Sequence, residues 1–264
     1  MLVFELTYPG VWLDLPDRER AFQLERLLHL LEANFVDASV ALNLFLAAQA
    51  QAQVHGVPSR DDWERDAARR RELTQQLEQQ LGVNPLTVLN REVFEEIRER
   101  ADLELKREHW AAGRPPQQYA FRPLSLHARS FIYALDTIGN TLEVLQAEPD
   151  VPTEVKTQTD AFFAAFPSVV GVRDSAHHPE DRGRGLGKWG KPLTLKAVDN
   201  QLIKAPGGVL ALDCLNGNKY GCTMADGHYG EVEVSPDSLS VVQTCVQKVF
   251  DAFPWKGPRR HIPA

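Results

Sequence analysis

The feature that most constrains the fold is a long stretch near the N-terminus that contains neither proline nor glycine. It runs from Asp17, which follows Leu15-Pro16, to His55, which precedes Gly56. Apolar residues recur along it at intervals of three and four, the spacing that places side chains on one face of an α-helix. These apolar positions are Leu24, Leu27, Leu28, Leu31, Phe35, Ala38, Leu42, Phe45 and Leu46. The sequence therefore predicts one very long helix, or two helices with a kink, that begins at an Asp17 cap.

Further helices are predicted from start signals and apolar spacing. Ser59-Arg60-Asp61-Asp62 has the form of a capping box, and its Arg69-Arg70-Arg71 run is predicted to lie on a solvated face. A buried stripe is predicted at Phe131, Leu135, Ile138, Leu142 and Leu145. The predicted spans are Ser59 to Gly82, about Asn84 or Asn90 to Ala112, about Ser125 to Ala147, Thr153 (as cap) to Phe166, and a last turn that Ser168 caps.

After residue 191 the apolar period changes from that of a helix to that of a strand. Residues 192–198, 208–215, 218–224 and 229–235 are predicted strands, with turn signals at Asn216-Gly217 and Asp226-Gly227. Ser235-Pro236 then marks the start of a closing helix, and residues 2–8 are predicted to add an edge strand. The predicted fold class is α+β: a mainly α-helical bundle over 1–190, and a small C-terminal antiparallel β-meander with a closing helix over 191–264. The two parts are expected to pack as one unit.

Composition narrows the class of protein. The 43% hydrophobic content supports a globular core. No signal peptide is recognised and no uninterrupted apolar run reaches about 18 residues, so a cytoplasmic protein without a membrane partner is expected. Cys214, Cys222 and Cys245 are an odd set without CxxC spacing, and this pattern predicts buried thiols and neither a disulfide framework nor a zinc site. No cofactor is predicted.

The concentration of reactive side chains lies at residues 172–185. A guanidinium, two imidazoles and several carboxylates occur there, between the helices and the strands. Residues 171–204 carry seven Lys and Arg against four Asp and Glu, although the whole chain has a net charge of −7. If this segment is helical, Arg173 and His177 share a face, while His178 precedes Pro179 and is expected to leave the helix. A guanidinium can grip a phosphate and an imidazole can exchange a proton near neutral pH.

The motif Arg173-Asp174-Ser175-Ala176-His177-His178 resembles that of the HEPN superfamily (higher eukaryotes and prokaryotes nucleotide-binding), in which an Arg, a polar residue, three further residues and a His follow a run of helices. The resemblance covers roughly residues 18–182. It implies a helical fold, a homodimer in which two motifs meet in one basic cleft, and a metal-independent ribonuclease of toxin-antitoxin or phage-defence type. It further implies that Arg173 binds the phosphate, that His178 exchanges the proton, and that Asp174 orients Arg173 or His178, with His177 as the alternative imidazole.

Several alternatives to this catalytic hypothesis stay open. Some HEPN members are inactive, so a noncatalytic protein that binds a nucleotide or a protein partner such as an antitoxin is a second hypothesis. A divalent-metal hydrolase that uses His177, His178, Glu180 and Asp181, with or without His228, is a third. A purely structural role is also consistent with the motif, because a histidine near the C-terminal end of a helix is favoured by the helix dipole.

A glycine-rich basic segment follows the motif at residues 182–191. Arg182, Arg184 and Lys188 could track a nucleic-acid backbone, and Trp189 could stack on a base. The segment lacks the GxxxxGK[ST] pattern of a phosphate-binding loop. It is predicted either to bind RNA or to serve as a connector.

Overall fold

The structure is a computed structural model that describes residues 1–54, 59–83 and 91–263. It is mainly helical with a few small antiparallel strand pairs, and this confirms the predicted α+β class. In chain order the elements are β1 (Leu6–Tyr8), β2 (Trp12–Leu13), α1 (Arg18–Val54), α2 (Arg60–Gln80), α3 (Arg91–Ala111), α4 (Gln117–Ala147), α5 (Thr153–Ala165), α6 (Val169–His177), α7 (Pro179–Gly183), a 3-10 turn (Lys188–Gly190), β3 (Val198–Asp199), β4 (Lys204–Ala205), β5 (Cys214–Asn216), β6 (Lys219–Thr223), β7 (Tyr229–Glu233), α8 (Pro236–Ala252), β8 (Trp255–Lys256) and β9 (Arg260–Ile262).

The chain divides into two compact units. The first comprises Met1–Ala47 and Pro123–Ala264, and the second comprises Ala48–Arg122. This division differs from the boundary expected near residue 190, because the C-terminal strands belong to the same unit as α5 and α6.

The core of the first unit is formed by the apolar faces of its helices. The predicted stripes of α1 and α4 are confirmed, because Leu28, Leu31, Leu42, Leu135 and Ile138 are fully buried in one cluster. Strand pairing ties the ends of the chain to this core: β1 pairs with β9 and β2 pairs with β8, both antiparallel. The expected N-terminal edge strand therefore exists, but its partner lies after α8 and not in the meander.

Helix caps account for several of the boundaries. Asp17 Oδ1 accepts hydrogen bonds from the backbone N–H groups of Glu19 and Arg20, and Ser59 forms the predicted capping box with Asp62. The predicted cap at Thr153 is wrong, because Thr153 is the first residue of α5 and the preceding Pro152 offers no side-chain hydrogen bond.

Two other predicted helix starts differ from the structure. Ser168 precedes α6 but makes no side-chain cap, since its backbone, at φ −98° and ψ −3°, already has a helical conformation. Helix α4 begins at Gln117, earlier than the predicted Ser125, and continues through Pro123. A proline there removes only one intrahelical hydrogen bond near the helix start. The alternative start of the third helix at Asn84 or Asn90 lies outside the described residues.

The C-terminal sheet has three strands in the order β5-β6-β7. Its turn signals are confirmed at Gly217 and Gly227, which both adopt positive φ. A Cβ on Gly227 would lie 1.9 Å from the carbonyl oxygen of Thr194, so only glycine fits this close approach. The strand predicted over 192–198 is mostly irregular. Within it, the Lys196 N–H donates to the Gly227 carbonyl at 2.9 Å and does not join a ladder.

The second unit contains the antiparallel helices α2 and α3. Its small core is built from Leu73, Ala101 and Leu105. The arginines of α2 reach α3: Arg69 donates to both carboxylate oxygens of Glu108, at 3.0 and 2.7 Å, and Arg70 donates to Asp102 at 2.5 Å. The arginine run is therefore only partly a solvated face, because two of its members make interhelical ion pairs.

One of the described helices is long and apolar enough to cross a membrane by length and composition. It is α1, over Arg18–Ala52. A core helix of a soluble protein passes the same test, and one third of the relevant window of α1 is buried inside the protein.

Candidate functional site

The motif segment spans the junction between α6 and α7. Helix α6 turns Val169, Val172 and Ala176 into the core. His178 follows its last residue, and its φ of −118° and ψ of 53° lie outside the helical region. The position before Pro179 explains this, because the proline ring disfavours a helical conformation in the residue before it. The predicted exit of His178 from the helix is confirmed.

Arg173 is held by a carboxylate that the sequence did not single out. Its Nε donates to Asp136 Oδ2 on α4 at 2.7 Å, and Asn140 Nδ2 donates to the same oxygen at 3.0 Å. The Asp136 side chain is only 3% exposed, whereas that of Arg173 is 33% exposed. No described residue accepts a hydrogen bond from the two terminal nitrogens of Arg173. The guanidinium is therefore anchored through Nε alone, and its outer edge is left for another anion.

The two histidines lie side by side near the end of α6. Their ring centroids are 5.0 Å apart and their planes are nearly perpendicular. His177 is exposed and its ring lies edge-on to Tyr133 of α4, with centroids 6.2 Å apart. His178 is paired through Nδ1 with Glu180 Oε1 at 3.2 Å. The pKa of Glu180 is below its ordinary value, first because of a hydrogen bond from its own backbone N–H and then because of His178.

Asp174 and Arg182 do not have the roles that were expected of them. Asp174 Oδ2 accepts from Arg182 Nη2 at 3.4 Å, whereas the backbone carbonyl of Asp174 accepts from the His178 N–H at 3.1 Å. The Arg182 residue is 3% exposed, and its other donors bond to Ser175 Oγ at 3.0 Å and to the Leu186 carbonyl at 2.6 Å. This arginine fastens the glycine-rich segment to α6 and is too buried to lie along an RNA backbone. Asp136, and not Asp174, orients Arg173.

The other residues of the predicted RNA-binding segment face the solvent. Trp189 is 84% exposed in a left-handed backbone conformation with φ of 62°. Lys188 Nζ lies 5.5 Å from the centroid of its ring. Arg184 forms an ion pair with Asp181. The segment thus presents an indole and an ammonium group to water, while its neighbouring guanidinium is partly neutralised.

A small set of potential metal ligands lies at the same junction. One ligand atom each from His178, Glu180 and Asp181 lie within 4.8 Å of one another. His177 is not a member of this set, and His228 is occupied with Asp226, whose Oδ2 lies 3.1 Å from its Nδ1. Among the described residues, the ligand set of the metal hypothesis is thereby reduced to three side chains. The ion pair between Asp181 and Arg184 disfavours metal binding by the Asp181 carboxylate.

Asp136 could have been found from the sequence by a simple signal. It is the one carboxylate within the apolar run from Phe131 to Leu142, next to Leu135 on the core side of α4. A charged residue in such a stripe needs a partner, but which cation supplies it depends on tertiary packing. Arg173 presents a guanidinium edge that suits an anion, and the two imidazoles that follow it in the sequence at the end of α6 are groups that can exchange a proton. Comparison of the chain with protein-family models, with curated proteins and with solved structures finds no match.

Proposed function

We propose that this protein is a HEPN-like, metal-independent endoribonuclease whose site is centred on Arg173 and His178. The observation that carries the proposal is the anchored guanidinium: the Nε of Arg173 is fixed by buried Asp136 at 2.7 Å, and its terminal nitrogens are not used by any described residue. An arginine fixed in this way offers a preorganised two-nitrogen fork for a phosphate. Its neighbours in the sequence are the two imidazoles of the motif.

In the proposed reaction the 2'-hydroxyl oxygen of RNA attacks the adjacent phosphorus and the bond from phosphorus to the 5'-oxygen breaks. His178 accepts the proton of the 2'-hydroxyl, and the leaving 5'-oxygen receives a proton from an imidazole or water, so that the products are a cyclic phosphate and a free 5'-hydroxyl. Arg173 neutralises the charge that develops on the phosphate oxygens. The Glu180 carboxylate orients His178 through Nδ1 and thereby leaves Nε2 for the substrate.

The proposal also covers substrate contacts and partners. Exposed Trp189 and Lys188 support a stacking contact and a phosphate contact beyond the scissile bond. Arg184 is a weaker candidate because Asp181 neutralises part of its charge. Through the HEPN resemblance, the same proposal includes a homodimer, an antitoxin or another protein partner, a cytoplasmic location, and a toxin or phage-defence role.

The test is cleavage of a labelled single-stranded RNA by pure protein in the presence of EDTA. We expect cleavage to survive EDTA, and we expect His178→Ala to lower its rate by about 10²- to 10⁴-fold, the usual contribution of a placed proton-transfer group. His228→Ala is the matched control, because His228 is likewise exposed and paired through Nδ1 with a carboxylate. Loss of cleavage in His177→Ala with activity retained in His178→Ala would assign the proton transfer to the other imidazole.

Two other outcomes would replace the proposal. Cleavage that EDTA abolishes and a divalent ion restores would favour a metal-dependent hydrolase, the second candidate, which is supported by the proximity of His178, Glu180 and Asp181. Glu180→Gln would then abolish the rescue. RNA that is bound and left intact would favour the noncatalytic nucleotide-binding alternative.

A further inference from the structure

Helix α1 carries apolar side chains on the side that faces away from its core. Phe22 is 60% exposed, Val40 52%, Leu44 46%, Leu30 43% and Val36 37%. Polar residues normally cover the outer side of a surface helix. An exposed apolar face of this kind marks an interaction surface more often than a scattered set of exposed residues does.

Together with the exposed residues between them, these side chains form one stripe. Its positions, 22, 26, 29/30, 33, 36/37, 40 and 44, recur every three or four residues and therefore stay on one side of the helix. From the first to the last the stripe extends roughly 33 Å along α1, at about 1.5 Å per residue. We call this stripe the α1 outer face; its members are Phe22, Arg26, His29, Leu30, Ala33, Val36, Asp37, Val40 and Leu44, all exposed.

We propose that the α1 outer face binds the same face of a second copy of this chain, in antiparallel orientation with Ala33 at the crossing point. The order of residues along the face carries this choice, because it is self-complementary about Ala33. A two-fold axis there sets Phe22 opposite Leu44, Leu30 opposite Val36, and Ala33 opposite its own copy. Large residues then flank the crossing and a small one occupies it, which lets two helices approach to about 8–10 Å.

The charges on the face favour the antiparallel orientation. The only ionisable groups on the α1 outer face are Arg26, His29 and Asp37. With the axis at Ala33, Asp37 lies opposite His29 of the other copy and within one helical turn of its Arg26, so an acid meets bases. A parallel pair in register would set Asp37 against Asp37 and Arg26 against Arg26. Like charges in contact destabilise helix pairs, and this discriminates between the two orientations.

The end of the face near Phe22 has a shape that suits a partner side chain. Arg26 already lies over the Phe22 ring, 5.0 Å from its centroid. Beside it lies a depression of about 300 Å³, lined by Leu27 and the half-exposed Val144 of α4 and by the polar side chains of Arg20, Gln23, Arg26 and Glu148. Leu44 of the second copy approaches this end in the antiparallel arrangement, so the contact widens from α1 onto Val144 of α4. A lipid surface offers no counterpart for Asp37 at the middle of the face, and this favours a protein partner.

The first experiment compares two matched substitutions by sedimentation velocity of the full chain. Leu30→Glu puts a carboxylate on the α1 outer face, where the leucine is 43% exposed, and Val241→Glu puts one on α8, where the valine is similarly exposed at 45%. We expect a wild-type dimer at low micromolar concentration, an unchanged dimer for Val241→Glu, and a dissociation constant raised at least about 100-fold for Leu30→Glu, since each dimer would bury two new carboxylates, each opposite Val36 of the other copy. A monomeric wild type, or two variants that behave alike, would overturn the proposal.

The second experiment tests orientation and register by a disulfide under mild oxidation. Ala33→Cys sets two thiols at the crossing point and should give a covalent dimer. Ala47→Cys is the control, because Ala47 is exposed further along the same helix and two copies of it would lie about 42 Å apart in the antiparallel pair. Wild type supplies the background, which half-buried Cys214 contributes, since Cys222 and Cys245 are buried. Cross-linking of both variants would indicate a parallel pair and contradict the proposal.

The alternative occupant is a membrane surface. Monomeric protein that co-sediments with phosphatidylcholine and phosphatidylglycerol vesicles, and loses this binding in Leu30→Glu, would replace the second copy by a lipid surface. The inference does not rest on the ribonuclease proposal. None of the altered positions belongs to the α6–α7 site. Loss of the dimer in Leu30→Glu therefore tests the α1 outer face, whereas loss of cleavage in His178→Ala with an intact dimer tests the ribonuclease proposal.

Discussion

Asp136 and Arg173 form an ion pair whose two members have very different access to water. The carboxylate is 3% exposed and the guanidinium is 33% exposed. The second oxygen of the carboxylate, Oδ1, is buried without a hydrogen-bond partner among the described residues. The carboxylate therefore depends on Arg173 and Asn140, whereas Arg173 can reach solvent when its partner is removed.

This asymmetry predicts unequal effects of the two alanine substitutions. Arg173→Ala leaves the buried Asp136 carboxylate without its ion-pair partner and should lower the free energy of unfolding by roughly 3 kcal/mol. Asp136→Ala should lower the free energy of unfolding by clearly less, because Arg173 can reach solvent. Urea denaturation of both variants measures the difference. Equal losses, or a larger loss for Asp136→Ala, would contradict the pairing. For the same reason, the catalytic role of Arg173 is better tested with Arg173→Lys, which keeps the positive charge and loses the two-nitrogen fork.

At the scale of the element, Ser235 and Ser168 are a matched pair of predicted helix caps. Ser235 Oγ accepts from the backbone N–H of Ser238 at 3.1 Å at the start of α8, whereas Ser168 makes no such bond before α6. Ser235→Ala should therefore lower the free energy of unfolding by about 1 kcal/mol, and Ser168→Ala by less than about 0.5 kcal/mol. Thermal unfolding of the two variants measures both. A Ser168→Ala protein as destabilised as Ser235→Ala would mean that the hydroxyl of Ser168 has a role the static geometry does not contain.

The same two serines illustrate how far sequence patterns reach. A cap, an apolar stripe or a turn glycine acts within a few residues, and so α1, α8 and the turns at Gly217 and Gly227 were predictable. The partner of β1 was not, because β9 lies some 250 residues away and is only three residues long. The site was predictable to the same degree. The motif located Arg173 and the histidines, but it did not predict that Arg173 pairs with Asp136 or that Asp174 pairs with Arg182.

At the scale of the whole molecule, burial raises the pKa of several cysteine thiols and tyrosine phenols of the first unit. Burial raises the pKa of the Cys222 and Cys245 thiols to about 12. Burial also raises the phenol pKa values of Tyr8, Tyr220 and Tyr229 above their ordinary range. Both thiols lie in the main core, and this agrees with the prediction that the cysteines are buried; Cys214 is half-buried.

These pKa values predict that the fold weakens as the pH rises from about 9 to 12. In that range the unfolded thiols lose their protons while the folded ones keep them, so the unfolded state binds fewer protons and stability falls with rising pH. At pH 10.5 the two thiols together should cost on the order of 4 kcal/mol relative to pH 8, about 2 kcal/mol each. Urea denaturation at the two pH values measures the loss, and the double variant Cys222→Ala with Cys245→Ala should show a smaller loss, since it removes the two thiols whose pKa is raised and keeps the phenols. An identical loss in the double variant would show that the thiols do not drive alkaline unfolding.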